Sequence, residues 1–313
     1  MVIKGYRVWP LLRKTGEEIL EDRVLGLAAQ NAYYFFFSLF PLLLFLAPLL
    51  SLIGDKEEMF GWLMEQLSTT VPPDALNLLE GALEEVVFVE GAPGLMSVGI
   101  VLALWTGSLV FNSLIDALNR AFECAETRPF YKKRAVAILA AIVAGAVVLT
   151  TSVVMLAGPR IVALIGDYIE LPAQTTLIWQ ILQFPIALTL LVGTLWLLYW
   201  FLPAVRGKNK WHVLVGALTA ATLWVIVTLG FRYYVSSFGD FNRTYGTIGG
   251  VIVLLMWMYL TMLVILVGGE LAAELDKGTG AIRPRAGATY TGRLSTAEGP
   301  IRSSTERIVK VGT

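Results

Sequence analysis

Apolar runs long enough to cross a bilayer recur along this 313-residue chain. They cover residues 25–53, 94–117, 135–157, 176–202, 213–231 and 247–269. The hydrocarbon core of a membrane asks for about 20 predominantly apolar residues per helix. Inside it, only helices or closed barrels satisfy every backbone N–H and C=O. These runs are continuous rather than alternating, so they read as helices. Charged residues make up only 15% of the chain, against about 25% in soluble domains. The expected fold is all-α: a polytopic membrane protein with six transmembrane helices. The first run exceeds bilayer length, so it must tilt, kink or protrude. Pro41 and Pro48 within it favour a kink.

Orientation follows from the basic residues, which concentrate on the cytoplasmic side of membrane proteins. The N-terminal segment, the loops after the second and fourth runs, and the tail hold 20 of the 24 Lys and Arg residues. The three remaining loops hold four. Both termini are therefore expected in the cytoplasm. Residues 1–24 carry too much charge for a signal peptide and read as an interfacial helix on the inner side. Residues 25–275 form the six-helix membrane domain. Residues 276–313 are polar, rich in Gly, Ser and Thr, and read as a disordered basic cytoplasmic tail that touches anionic headgroups weakly.

The first external segment, residues 54–92, holds nine acidic residues against Lys56 alone. Two amphipathic patterns, EEMFGWLMEQL and DALNLLEGALEEVV, predict an external helical hairpin lying on the outer bilayer surface or capping the bundle. No internal sequence repeat is visible. Six spans with both ends inside would nevertheless permit a three-plus-three inverted arrangement.

Polar residues inside the runs are the candidates for function, because their desolvation is costly. On the cytoplasmic side Gln30, Tyr34 and Ser38 form one stripe, and Asn112, Asp116 and Asn119 form another. Glu270 and Glu274 close the last run on one helix face. These residues either line a transport path or act as packing glue and ion-pair partners, Asp116 with Arg120 and the glutamates with Arg23, Arg120 or Arg128. On the external side, Arg232 and Arg243 with Tyr233, Tyr234 and Tyr245 form a basic and aromatic collar. Gly246, Gly249 and Gly250 there allow close backbone approach or an unwound helix start that could hold an anionic headgroup. An ordinary aromatic belt with glycine-mediated packing is the alternative reading. Gly107 and Ser108 also permit close helix contacts, within one chain or between copies in a homo-oligomer.

Catalytic motifs do not emerge. The single Cys124 excludes an intrachain disulfide, and with the single His212 it leaves no His/Cys metal site of the usual kind. There is no P-loop, no H-E-x-x-H and no G-x-S-x-G. The expectation is a protein that is not an enzyme and needs no cofactor or metal. His212 reads as a headgroup neighbour, and Cys124 as a reduced, inert thiol.

Four segments, AYYFFFSLFPLLLFLAPLL, LWTGSLVFNSLIDALNRAFE, WFLPAVRGKNKWHVLVGALTAATLW and YGTIGGVIVLLMWMYLTMLVILVGGELAAEL, resemble the YihY family of bacterial inner-membrane proteins, also called BrkB-like. The resemblance covers residues 20–276 and is most specific in the last segment. It implies six helices with both termini cytoplasmic, in the bacterial inner membrane. Members have carried an old label as a tRNA-processing ribonuclease, and others are linked to serum resistance or envelope lipid transport. A hydrolytic nuclease needs a cluster of metal-binding His and carboxylates, which one interfacial histidine does not supply. No nucleic-acid partner is expected. The reading that follows is a transporter or facilitator of lipids or amphipathic anions in envelope biogenesis, with membrane lipids as partners. A scaffold holding an envelope-assembly protein partner is the alternative, and an ion or small-solute channel is a third.

Overall fold

The computed structural model describes residues 2–3, 6–53, 92–169, 174–205, 207–238 and 247–278, with isolated helical positions between Glu57 and Glu84; toward some helix ends it describes the backbone alone. The expected external hairpin otherwise lies outside the described residues, as does the tail beyond Gly278.

The chain starts with a two-residue ribbon that hydropathy gives no hint of. β1 (Val2–Ile3) pairs antiparallel with β2 (Tyr6–Arg7), Val2 opposite Arg7 and Ile3 opposite Tyr6. Seven long helices follow among the described residues: α1 (Val8–Glu21), α2 (Val24–Ile53), α3 (Ala92–Ala121), α4 (Phe130–Ile169), α5 (Gln174–Phe201), α6 (Lys210–Phe238) and α7 (Thr247–Gly278). Five helical stretches are long and apolar enough to cross a membrane, by length and composition: Ser97–Ala121, Phe130–Thr151, Ile181–Phe201, Lys210–Val235 and Gly249–Gly278. α2 matches the first apolar run and continues as helix through Pro41 and Pro48.

Several helices outrun their apolar segments. α4 begins at Phe130, ahead of Lys132, Lys133 and Arg134, where a hydropathy boundary placed its start at 135. A helix ends where its backbone is capped or turned, not where its side chains become polar. α3 shows this well: Glu123 adopts a left-handed conformation (φ 49°), and the Cys124 amide reaches back 2.8 Å to the Asn119 carbonyl. That is a Schellman-type stop at a residue other than glycine. Between α1 and α2, Arg23 plays the same part with φ 55°.

Successive helices from α2 to α7 pack in chain order, and α7 returns to α2, closing a ring. α7 also touches α3 and α5, and α1 lies against α7 and α2. The principal core gathers Val24 and Ala28 from α2, Leu118 from α3, Ala137 from α4, Tyr199 from α5, Ala217 from α6 and Leu266 from α7. All these residues lie at one end, where α2, α4 and α6 begin and α3, α5 and α7 finish; this is called the basal end below. A smaller core of Ala32, Phe231, Val235, Val253, Leu254 and Met258 continues the packing of α2, α6 and α7 away from the base. α4 and α5 do not share it. No described side chain is buried in α4 beyond Ala140, or in α5 before Leu195.

Candidate functional site

The Gly268–Gly269 pair ahead of Glu270 has a clear packing role. A methyl group on Gly268 would sit 2.5 Å from the Ala220 Cβ and 2.7 Å from the Gly216 carbonyl oxygen. A methyl on Gly269 would sit 2.5 Å from the Leu118 Cδ2. At Gly268 only glycine lets α7 approach α6 this closely, whereas at Gly269 the obstacle is the end of a leucine side chain on α3 that can turn aside. The Tyr199 hydroxyl donates to the Ile265 carbonyl within the same seam. Gly107, by contrast, meets only the Ala141 Cβ at 3.9 Å, an ordinary contact. Ser108 is buried and donates to its own helix at the Trp105 carbonyl.

One turn further, α7 turns two carboxylates toward α1 and the turn that follows it. Glu274 is buried, with Lys14 of α1 at 2.7 Å and Lys277 at 2.7 Å. Lys277 also reaches Glu123 at 2.8 Å. Among the described residues the ion-pair partners of Glu274 are lysines: Arg128 is held by Glu126, only two residues away, while Lys14 comes within reach because α1 packs on α7. Glu270 is 2% exposed, has no cation within ion-pair distance among the described residues, and its Oε2 accepts no hydrogen bond from them. Asp22 and Glu18 contribute further negative charge around it. Burial raises the Asp22 carboxyl above its ordinary value, against the opposing pull of Lys277 and Arg120. Burial likewise raises Glu18, with Lys277 opposing. An ionised carboxylate buried without a partner costs several kcal/mol, so this seam offers a place for a proton or a cationic group. The described carboxylates are not arranged as a metal-ligand set.

The remaining basal residues do not converge on Glu270. Asp116 turns to Lys133 of α4 at 2.6 Å, in place of the expected Arg120. Asn119 is fully buried and ties two loops together. Its Nδ2 donates to Glu126 at 2.9 Å, and its Oδ1 accepts from the Ala204 amide at 2.8 Å and the Cys124 thiol at 3.2 Å. Arg128 makes two side-chain hydrogen bonds to Glu126 and one to the Leu202 carbonyl. Burial opposes ionisation of Glu126, but the hydrogen bonds from Arg128 and Asn119 overcome it and hold its carboxyl near 2. Asn112 and Tyr34 are half-buried, and Gln30 is exposed. The buried amide of α2 is instead Asn31, whose Nδ2 donates to the Leu27 carbonyl at 2.8 Å and whose Oδ1 is unpartnered. Helical spacing from Val24, Leu27 and Ala28 marks that face.

Two further basal features depart from the sequence reading: His212, expected beside headgroups, turns to a buried carboxylate, and one lysine is buried. The His212 Nδ1 lies 2.6 Å from Asp276, which also accepts from the Asn209 amide at 3.2 Å. Lys208 is 6% exposed, over the rings of Phe122 and Trp200 at 5.5 and 5.8 Å. Nothing in the residue pattern separates this lysine from its exposed neighbour Lys210.

At the opposite end, Arg232, Tyr233 and Tyr234 are exposed on α6, and Gly249 and Gly250 are buried in the first turns of α7. Arg243, Tyr245 and Gly246 lie outside the described residues.

Residues 15–289 match the family described as Virulence factor BrkB. A Bacillus subtilis (strain 168) protein named as ribonuclease-like, YfkH, is 31% identical over 250 residues, which cover 80% of this chain and 89% of that protein. A UPF0761 membrane protein of Tolumonas auensis is 27% identical over 262 residues, 83% of each chain. Another from Haemophilus influenzae is 24% identical over 265 residues, 82% of this chain and 91% of its own length. No solved structure matches. With the family matched from α1 to beyond α7 and the YfkH similarity covering most of both proteins, the chain belongs to the BrkB family of membrane proteins.

Proposed function

We propose that the protein is a non-enzymatic facilitator of the bacterial inner membrane, moving lipids or amphipathic anions in envelope biogenesis. In this reading α2 is the sixth span, and the basal end faces the cytoplasm with both termini, as the distribution of Lys and Arg favours. The observation that carries the reading is the asymmetry of the bundle. All six long helices from α2 to α7 share a core at the base, whereas beyond Ala140 and before Leu195 the described side chains of α4 and α5 are unburied. Val148, Leu149, Ile181 and Phe184 are among them, each more than half exposed. Such a flank lets acyl chains run along protein while a headgroup meets polar side chains at the base. Glu270, buried and without an ion-pair partner among the described residues, is the basal group assigned to the cationic part of a lipid headgroup, since the negative charge of Asp22 and Glu18 around it disfavours a bare anion.

Reconstitution into liposomes with headgroup-labelled fluorescent phospholipid, followed with a membrane-impermeant quencher, tests this reading. Label initially in the inner leaflet should become accessible faster than in protein-free vesicles, and Glu270→Gln should slow it at equal protein content. Accessibility no greater than in protein-free vesicles would overturn the reading.

A further inference from the structure

A groove of about 610 Å³ runs between α5 and α6 on the outside of the bundle, lined by Leu188, Val192 and Gly193 on one side and Leu214 and Leu218 on the other. Its size falls among ligand sites, roughly 300–1,000 Å³. The walls are apolar, and Leu188 and Leu218 are each 47% exposed. Gly193 keeps the middle open: a Cβ there would meet no atom within 4 Å. Within a bilayer, such a space is filled by hydrocarbon, since the nearby side chains leave it empty and water gains little from apolar walls.

The basal end of the groove is chemically different. Trp196 forms part of the wall, and its indole Nε1 donates to the Lys210 carbonyl at 3.3 Å. Trp211 stands beside it, 70% exposed. Lys210 opens α6 with its side chain exposed, and no carboxylate of the described residues pairs with its ammonium. Asp276, on the neighbouring end of α7, is buried and committed to His212 and the Asn209 amide. Tryptophan and lysine together are the residues that sit at headgroup level, ring in the interface and ammonium toward phosphate.

We propose that this groove is a binding site for an anionic phospholipid, with one acyl chain lying past Gly193 between α5 and α6 and the headgroup phosphate on Lys210. Charge complementarity selects the headgroup and the glycine gap admits the chain. The inference rests on the lipid reading above for its ligand class, but it concerns occupancy and not movement. One basic residue at the membrane surface supports a preference for an anionic over a zwitterionic headgroup of about fivefold.

Native mass spectrometry of the purified full-length protein, titrated with phosphatidylglycerol or phosphatidylcholine of identical chains, reads that preference. The wild type should retain phosphatidylglycerol about fivefold better. Lys210→Gln should bind both lipids equally, and Gly193→Trp, with Gly193→Leu as a smaller filler, should lose the retained lipid of either kind. Gly145→Leu, at another open helical glycine, should behave as wild type and controls for folding. Equal retention by wild type and both Gly193 variants would mean annular lipid only and overturn the site. Equal retention of the two lipids by the wild type would overturn its anionic character. Because nothing here depends on leaflet exchange, a negative liposome assay leaves this result standing, and the reverse holds too.

Discussion

Gly216 and Gly268 face each other so closely that a methyl group on either would meet the other's carbonyl oxygen, at 2.5 Å from Gly216 and 2.7 Å from Gly268. Neither obstacle is the end of a flexible side chain, so relief requires α6 and α7 to separate. Overpacking of this kind costs about 1–3 kcal/mol. Gly268→Ala should therefore lower the apparent melting temperature in detergent by several degrees, whereas Gly193→Ala and Gly145→Ala, which meet open space, should leave it unchanged. Intrinsic tryptophan fluorescence on heating, or size exclusion after it, would show the difference. Identical melting of all three would refute the tight seam.

Asn119 joins the loop after α3 to the loop after α5 through Glu126 and the Ala204 amide. Asn119→Ala strands the Ala204 amide, at roughly 1–3 kcal/mol, while Glu126 keeps its bonds from Arg128. The expected signature is local: faster proteolysis within residues 122–129 and 202–209, with the helices still protected. The Glu126 carboxyl, held near 2, adds a pH window. Its folded value lies below the ordinary 4.5, so its contribution is complete above that value and is lost as pH falls from about 4.5 through 2. Loop protection should fade across that interval in the wild type and be flat in Glu126→Gln. A flat wild-type profile would contradict the Glu126–Arg128 latch.

The long helices are legible because membrane insertion writes them into composition; a run of about 20 apolar residues is rarely anything but a spanning helix. Their ends are less so, since α4 begins at Phe130 among cationic residues that hydropathy alone assigns to a loop. Within the candidate site, the pattern places Glu270 and Glu274 on one face, as the structure does, but gives no sign that α1 delivers Lys14 to Glu274. That pairing depends on the left-handed turn at Arg23, a single dihedral choice that a charged residue does not advertise. The polar stripes mislead for a related reason. Gln30 and Asn31 are adjacent and equally polar, and Asn31 is the one inside because it shares a helix face with Val24, Leu27 and Ala28, which a stripe of polar residues alone does not reveal. Lys208 and Lys210 pose the same problem across two residues.

Cys124 illustrates a thiol that is present but slow. Burial raises its pKa to about 11, with the Ala204 amide opposing, and the thiol donates to Asn119 at 3.2 Å. Since the thiolate is the nucleophile, alkylation by iodoacetamide should be about a hundredfold slower at pH 7.5 than for an exposed cysteine. The rate should climb about tenfold per pH unit up to pH 10 without a plateau. Asn119→Ala, by loosening the loops, should raise it at every pH. A plateau near pH 8.5 would show an ordinary exposed thiol and remove the buried network from consideration.

Lys208 places a cation where the fold gains little from it. Burial lowers its pKa from 10.5 to about 8, partly offset by Cys124 and Asp276, and its one hydrogen bond among the described residues, to the Pro203 carbonyl, is long at 3.4 Å. At pH 7 the amine is protonated in both folded and unfolded chains, so the whole difference between the two values acts against folding, about 3 kcal/mol. The Phe122 and Trp200 rings return part of it, about 1 kcal/mol. Lys208→Met keeps the volume and removes the charge, and should raise stability at pH 7 by about 2 kcal/mol. Between pH 8 and 10.5 the unfolded chain holds the extra proton, so the wild type gains stability as pH rises and the advantage of the variant should shrink toward zero. Paired denaturant titrations at pH 7, 8.5 and 10 measure this directly. A variant less stable than wild type at pH 7 would mean that the buried ammonium has a favourable partner, and the most economical candidate is Asp276, whose charge already pulls on it.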